Sequence, residues 1–312
     1  MGSYPMRKNR LRELLDEGRP SLGTHVMSTW PTITELVGQT GQFDYVEFVA
    51  EYAPWTMHDL DNLGRAIELF PDFTGMVKIE QDTRGHLAMR AIGSGLQNVL
   101  FADVRTVDDA RLCVRSVRAE HPEHRGRHGV GLRRDARTVL HAGTDEWVAT
   151  LARSVVALMI EKKEALEDLD AILSVPGIDM VQFGPADYAM SLGWIRPRDA
   201  ARVREAEKYV ITAALRHGVV PRAEPADASQ LEYYLGLGVR HFCMGHDVGI
   251  LSNWFSDQGS RARALLAEAG QQGTSRSGLL AAPEGGGGGQ EPSGGAGHHD
   301  RTEHDQVADG GG

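Results

Sequence analysis

Two acidic residues follow two apolar segments that lie close together in the chain. Glu161 comes directly after the apolar run at residues 155–160, and Asp187 comes shortly after a second run at residues 180–183. Runs that are apolar on both faces are typical of parallel strands covered by helices. Side chains at the carboxyl ends of such strands converge on the site of chemistry. Glu161 and Asp187 are therefore predicted to share one divalent cation.

The type of ligand indicates the metal and the reaction. Carboxylate oxygens without nitrogen or sulfur favour Mg²⁺ or Mn²⁺, with Co²⁺ as a third candidate, and water completes the coordination. Such an ion can hold a 2-oxo acid by its carboxylate and keto oxygens and stabilise the enolate that arises when a carbon–carbon bond breaks or forms. A structural interpretation stays open, because Asp187 could cap the following helix and Glu161 could pair with Lys162 or Lys163.

The pattern of apolar segments predicts how these residues are positioned. Eight apolar segments alternate with helical patterns over residues 21–245, which predicts a (β/α)8 TIM barrel. An open doubly wound sheet is the second choice, but no glycine-rich phosphate loop follows a strand. Residues 1–270 form the predicted barrel domain. Residues 271–312 are rich in glycine and poor in apolar side chains, which predicts a disordered tail.

Composition narrows the class of protein. The 312 residues carry a formal net charge of −10 without a basic stripe, so we expect no nucleic-acid partner. Cys113 and Cys243 lack metal-type spacing and are expected to be buried thiols in a reducing compartment. No apolar run reaches the roughly 18–20 residues of a membrane span, and the N-terminus lacks the apolar segment of a secretory signal. We therefore expect a cytoplasmic protein without a membrane partner.

Residues 160–193 carry a specific motif. They read I-E-x-x-E-A-x-x-x-L-x-x-I-L-x-V-P-G-I-D-x-V-x-x-G-P-A-D-Y-x-x-S-L-G, which resembles the HpcH/HpaI aldolase family of metal-dependent, class II pyruvate aldolases. The resemblance covers roughly residues 8–260. It implies a (β/α)8 barrel that assembles as a homohexamer by exchange of a C-terminal helix. It also implies that Glu161 and Asp187 bind the metal, and that Gly184, Pro185 and Ala186 contact the substrate.

Three positions depart from the pattern of this family. The family usually reads Asp-Gly-Glu-His-Ala-Pro after the second strand, where this chain has Val49 for the Asp, Glu51 for the Glu and Tyr52 for the His of the general-base dyad. The family's substrate-binding Arg is matched by Lys78, which keeps the positive charge but loses the bidentate fork. Glu51, Tyr52 and Lys78 are therefore the catalytic candidates, and Lys78 also binds the substrate. Tyr52 has an ordinary pKa of about 10 and needs a neighbouring cation to act as a base.

These features support three hypotheses for the function. The first is an aldolase that cleaves or forms a carbon–carbon bond between the enolate of a 2-oxo acid, such as pyruvate, and an aldehyde. The second is an altered reaction on the same metal–enolate platform, such as biosynthetic carbon–carbon bond formation, decarboxylation or hydrolysis of an oxo acid. The third is a homologue that has lost catalysis and keeps a role in binding or assembly.

Overall fold

The strands of the protein close into a barrel. The computed structural model describes residues 4–194 and 196–277. Eight parallel strands pair in chain order, and the last strand pairs with the first, so the predicted (β/α)8 TIM barrel is confirmed. The strands are β1 (Ser21–Val26), β2 (Tyr45–Val49), β3 (Thr74–Ile79), β4 (Asn98–Phe101), β5 (Val156–Ile160), β6 (Met180–Phe183), β7 (Val220–Ala223) and β8 (His241–His246).

The α-helices alternate with these strands. Two of them begin with a capping box, in which Thr56 or Thr106 exchanges hydrogen bonds with the acidic residue three positions later. Such caps define where the chain leaves a loop and enters a helix. The helices are α1 (Arg10–Asp16), α2 (Pro31–Thr40), α3 (Met57–Glu68), α4 (Arg84–Gly93), α5 (Val107–Ser116), α6 (Asp145–Ala152), α7 (Lys163–Glu167), α8 (Leu169–Leu173), α9 (Pro185–Ser191), α10 (Arg196–His217), α11 (Leu231–Gly236) and α12 (Asp247–Ser277).

Buried side chains form one layer inside the barrel and a second layer between the strands and the helices, because successive residues of a strand point to opposite faces. One layer is a cluster that includes Leu11 of α1 with Tyr45, Met76 and Leu100 of three different strands. The other layer packs the opposite faces of the strands against the helices. This two-sided burial explains why the strands read as continuous apolar runs, and it leaves the strand ends as the place for polar groups.

The last helix runs across the boundary between two compact units. Residues up to Asp257 belong to the barrel unit, and Gln258 begins a second unit whose described part is the end of α12. The sequence predicts a tail from residue 271, whereas α12 continues to Ser277, and residues 278–312 lie outside the described residues. Within the described ranges, no helix has both the length and the apolar character needed to cross a membrane.

Candidate active site at the carboxyl ends of the strands

Lys78, Glu51 and Tyr52 form one contact cluster. Lys78 of β3 pairs in register with Val49, the last residue of β2, so the chain that follows β2 lies beside its ammonium group. Lys78 Nζ lies 2.7 Å from Glu51 Oε2 and donates a hydrogen bond of 3.1 Å to Tyr52 Oη. The structure thus brings together the three residues that the sequence predicts to be catalytic.

The contacts within this cluster set the protonation states. Burial disfavours the charge of Lys78, but attraction and hydrogen bonding by Glu51, with a further contribution from Tyr52, outweigh it and raise the pKa of Lys78. Burial of the Tyr52 hydroxyl raises the pKa of this tyrosine and outweighs the opposite effect of Lys78. Contact with Lys78 therefore does not by itself make Tyr52 a base at neutral pH: the phenol stays protonated and offers a hydrogen-bond donor.

Glu161 is held in a closely fitted environment after β5. Its side chain is 2% exposed, and Oε1 accepts a hydrogen bond of 2.8 Å from the backbone N–H of Asp103. A Cβ atom at Gly184 would lie 2.4 Å from Glu161 Oε2, so only glycine leaves room for the carboxylate. Burial raises the pKa of Glu161 to about 7, and the negative charge of Asp187 adds to this effect, whereas the Asp103 N–H and Lys78 oppose it.

Asp187 lies in the first turn of α9, which Gly184 and Pro185 introduce. Its Oδ1 accepts a hydrogen bond of 3.2 Å from Lys162 Nζ, and the same ammonium group lies 2.6 Å from Asp103 Oδ1. Pairing with a lysine, the structural interpretation left open by the sequence, therefore applies to Asp187 rather than to Glu161. Asp103 has a positive φ of 54°, an uncommon backbone conformation. In this conformation its N–H donates to Glu161 and its carboxylate pairs with Lys162.

These residues fit the requirements of a divalent cation. Glu161 makes no ion pair with any residue of the described ranges, and its raised pKa reports a carboxylate that the protein leaves poorly compensated. Asp187 supplies a second hard oxygen on the chain that follows the neighbouring strand, and Mg²⁺-type sites take their remaining ligands from water and substrate. When bound here, the cation would be held by Glu161 and Asp187.

A buried polar network joins β1, β2, β7 and β8. His25 Nε2 lies 2.8 Å from Glu224 Oε1 and 3.5 Å from Glu47 Oε1. Arg222 and Glu47 are both buried, and Arg222 Nη1 lies 2.6 Å from Glu47 Oε2. His25, Glu47 and Cys243 place three potential metal-ligand atoms within 4.8 Å of one another. Because Arg222 already compensates the charge of Glu47, we interpret this network as a set of ion pairs.

Two members of this network, Glu47 and Arg222, could not be identified from sequence motifs. Neither belongs to a motif with recognisable spacing, and Glu47 stands within the otherwise apolar strand β2. The sequence does indicate that Glu47, a charged residue inside a buried strand, needs a partner of opposite charge. It does not indicate that this partner is Arg222 of β7, which is far away in the chain. Both ring nitrogens of His25 have polar partners, and His25 also lines a cavity.

A cavity of about 210 Å³ opens at this end of the barrel. Lys78 and Tyr52 provide donors in its wall, and Glu224 provides an acceptor, which suits a small molecule with carbonyl and hydroxyl groups. Neither Glu161 nor Asp187 belongs to its wall, although Lys78 acts electrostatically on Glu161. The residues lining the cavity are His25, Met27, Val49, Tyr52, Lys78, Glu224 and His246.

Comparison with known proteins agrees with this geometry. The family described as HpcH/HpaI aldolase/citrate lyase matches residues 58–253. A 2-keto-3-deoxy-L-rhamnonate aldolase of Salmonella gallinarum is 31% identical over 245 residues, which cover 77% of this chain and 87% of the relative. The matched range of the family includes Lys78, Glu161 and Asp187, whereas Glu51 and Tyr52 precede it.

Solved structures lead to the same family. The crystal structure of an HpcH/HpaI aldolase from Desulfitobacterium hafniense DCB-2 is 26% identical, with a TM-score of 0.72 over 83% of this chain and 97% of that one. A family member from Burkholderia cenocepacia J2315 is also 26% identical, with a TM-score of 0.74 over 82% of this chain and 100% of that one. The chain therefore belongs to the HpcH/HpaI aldolase/citrate lyase family and is a metal-dependent carbon–carbon lyase of the aldolase type.

Proposed function

We propose that the protein uses Mg²⁺ or Mn²⁺, with Co²⁺ as an alternative, to cleave or form the bond between a 2-oxo acid, such as pyruvate, and an aldehyde. The observation that carries this proposal is the pair of carboxylates, Glu161 and Asp187, that follow the neighbouring strands β5 and β6, with Glu161 packed against Gly184. When bound, the cation supplies Lewis-acid stabilisation of the enolate.

The residues around this pair bind and orient the 2-oxo acid. Lys78 is a fixed cation because Glu51 lies 2.7 Å from it, and we assign it to an oxygen of the oxo acid. The segment Gly184, Pro185 and Ala186 opens α9 beside Glu161. Gly184 donates its N–H to the carbonyl oxygen of Ile160 and Pro185 has no N–H, so the donor that this segment offers is the N–H of Ala186, which has no partner within the helix. We assign this segment to the carboxylate of the substrate.

Tyr52 is the proposed proton donor. In cleavage, the hydroxyl group of the substrate loses its proton to water in the open cavity, the carbon–carbon bond breaks, and its electron pair forms the enolate. The enolate then takes up a proton at carbon, which Tyr52 supplies because its phenol is protonated in this environment. Donation leaves a tyrosinate whose charge the neighbouring ammonium group of Lys78 stabilises, and this tyrosinate is the form that accepts a methyl proton of pyruvate in the reverse direction.

Proton exchange at the methyl group of pyruvate tests this proposal without knowledge of the aldehyde. We expect exchange with D₂O, followed by NMR, only when Mg²⁺ or Mn²⁺ is present, and a loss of at least about tenfold in Tyr52→Phe, since proton transfer by one side chain typically contributes a factor of 10²–10⁴. Tyr209→Phe, at an exposed tyrosine of α10, is the matched control and should exchange normally. Absence of exchange with every metal would refute enolate formation from pyruvate. Exchange that persists in Tyr52→Phe would exclude Tyr52 as the donor.

A second candidate is an altered reaction on the same platform. Val49 lines the cavity where the family usually has the acidic partner of its base, so the apparatus for proton abstraction differs from the family pattern. Decarboxylation of an oxo acid forms the enolate by loss of CO₂ and so needs no abstraction of a proton, and that enolate then serves biosynthetic carbon–carbon bond formation. Hydrolysis of an oxo acid is a further alternative on the same platform. Release of CO₂ from an oxo diacid, without methyl exchange of pyruvate, would favour this candidate, and binding of oxalate without any turnover would favour a binding role.

We also propose a cytoplasmic homohexamer that acts on small molecules. Both cysteines are buried free thiols, which suits a reducing compartment. In the first part of α12, the side chains of Trp254 and Phe255 are exposed in the single chain, and large exposed apolar groups commonly mark contacts between subunits.

A further inference from the structure

The cavity has an acidic wall that the proposed mechanism does not use. Glu224 follows β7, and its side chain remains 37% exposed while Oε1 receives a hydrogen bond of 2.8 Å from His25 Nε2. The other ring nitrogen of His25, Nδ1, lies 2.8 Å from the carbonyl oxygen of Gly245. Since a carbonyl and a carboxylate oxygen both accept, both nitrogens of His25 donate, and the ring is an imidazolium.

Ion pairing keeps Glu224 ionised. The buried charges balance, because Arg222 and His25 are positive while Glu47 and Glu224 are negative, and Arg222 Nη2 lies 3.8 Å from Glu224 Oε1. Burial would raise the pKa of Glu224, but His25, Arg222 and Lys78 outweigh it and lower the pKa to about 2. The exposed part of Glu224 therefore presents a permanent hydrogen-bond acceptor to the cavity.

His246 adds a donor to the same wall. The backbone N–H of Gly249 donates a hydrogen bond of 2.9 Å to His246 Nδ1, so Nδ1 carries no proton and the neutral ring carries its proton on Nε2. His246 and Glu224 both line the cavity of about 210 Å³ and an adjoining cavity of about 360 Å³. A hydroxyl group both donates and accepts, so it matches this pair of side chains, whereas a carboxylate only accepts.

Building on the proposed function, we propose that Glu224 and His246 form the subsite for the aldehyde and select a neutral, hydroxylated aldehyde over one that carries a carboxylate. The hydroxyl group of the aldehyde donates to Glu224 and accepts from His246 Nε2. A carboxylate at this place would face the ionised Glu224 and would be repelled. The imidazolium of His25 is already paired with Glu224, and the ammonium group of Lys78 is assigned to the oxo acid, so neither compensates this carboxylate.

Three two-carbon aldehydes of matched size test the subsite in the unmodified protein. Glycolaldehyde, acetaldehyde and glyoxylate differ only in a hydroxymethyl, a methyl or a carboxylate group, and each is offered with pyruvate and Mn²⁺. We expect kcat/KM to be at least about tenfold higher for glycolaldehyde than for acetaldehyde, and lowest for glyoxylate. An equal or higher kcat/KM for acetaldehyde or glyoxylate would overturn the proposed selectivity.

Variants then locate the selectivity. Glu224→Gln removes the charge and keeps the shape, so the ratio of kcat/KM for glyoxylate over glycolaldehyde should rise at least about tenfold. His246→Leu should lower kcat/KM for glycolaldehyde more than for acetaldehyde. Glu232→Gln, at an exposed glutamate of α11, is the matched control and should leave both ratios unchanged. A ratio that is the same in Glu224→Gln as in the unmodified protein would exclude Glu224 as the selecting group.

Methyl exchange of pyruvate distinguishes a failure of the proposed subsite from a failure of the proposed function. Exchange in the unmodified protein together with no preference for glycolaldehyde would overturn the subsite alone and leave the enolate chemistry in place. No exchange and no turnover with any of the three aldehydes would overturn the proposed function and, with it, the subsite. If Glu224→Gln fails to fold, the three aldehydes offered to the unmodified protein still test the proposed selectivity.

Discussion

Single residues at the site are defined by the charges that they touch. Lys78 could in principle be a free amine that forms an imine with a keto group, but that chemistry requires the neutral amine. Glu51 lies 2.7 Å away and keeps Lys78 protonated. This contact supports the proposal that Lys78 anchors an anionic or polar oxygen, the role predicted for it in place of the family's arginine.

Lys162 should weaken metal binding, because its ammonium group contacts Asp187 at 3.2 Å and must leave Asp187 when a cation binds there. We expect Lys162→Met to increase the affinity for Mn²⁺ about tenfold, which corresponds to ~1.4 kcal/mol. Titration calorimetry of the metal-free protein measures this directly and does not depend on activity. Glu161→Gln sets the lower reference, since it should abolish binding.

The adjacent residue Lys163 is the matched control for that prediction. Its ammonium group lies 3.5 Å from Glu167 within α7 and not at Asp187. Lys163→Met removes the same charge one residue further along the chain and should leave the affinity for Mn²⁺ within about twofold. If Lys162→Met bound Mn²⁺ no better than Lys163→Met, competition between Lys162 and the metal would be ruled out.

The strands and the helices that follow them place chemically different groups at one end of the barrel. Glu161 directly follows β5, whereas Gly184 links β6 to the first turn of α9, so the carboxylate after one strand rests against the backbone after the next. Gly184 has an ordinary φ of −103°, which shows that close packing, and not backbone conformation, requires glycine at this position.

Gly184→Ala tests this contact between elements. The added Cβ would lie 2.4 Å from Glu161 Oε2 and 2.6 Å from Glu161 Cβ, so the carboxylate has to move. We expect at least a tenfold loss of Mn²⁺ affinity by calorimetry, with an unchanged circular dichroism spectrum. Gly236→Ala in α11 has open space around its Cβ and serves as the control. Unchanged affinity in Gly184→Ala would show that the position of Glu161 is not critical.

The stability of the whole molecule depends on pH in part through two histidines that are buried in the neutral form. Burial lowers the pKa of His241 to about 4, and the positive charge of Arg222 contributes in the same direction. His128 is likewise buried, and its pKa is also lowered to about 4. Between about pH 6.5 and pH 4 these two histidines bind more protons in the unfolded chain than in the folded chain, so their contribution to the free energy of unfolding falls as the pH is lowered.

His241→Gln should make stability less sensitive to acid. With a pKa of about 6.5 in the unfolded chain, His241 alone lowers the free energy of unfolding by about 2 kcal/mol at pH 5 relative to pH 8. Urea denaturation at these two pH values should therefore show a difference that is smaller by this amount in His241→Gln. His58→Gln, at an exposed histidine of α3, is the control. An identical pH dependence in His241→Gln and the unmodified protein would contradict the prediction.

Much of the fold could be predicted because its signal is local. Each strand of a two-sided barrel is an apolar run, and the eight predicted runs match β1 to β8 in order. The end of the last helix shows the limit of such reasoning. The composition of residues 271–277 indicates a tail, yet α12 extends through them to Ser277, since a helix already formed propagates into residues that would not begin one.

The sequence by itself determined the family, the barrel, and the candidates Glu161, Asp187, Lys78, Glu51 and Tyr52, because motif and strand periodicity are properties of neighbouring residues. Only the tertiary structure decided which charges meet. It placed Lys162 on Asp187, kept the Tyr52 phenol protonated, and joined His25 of β1 to Glu224 after β7. The physical reason is that electrostatic energies and pKa values depend on distance and burial, and closure of the barrel brings together residues about 200 positions apart in the chain.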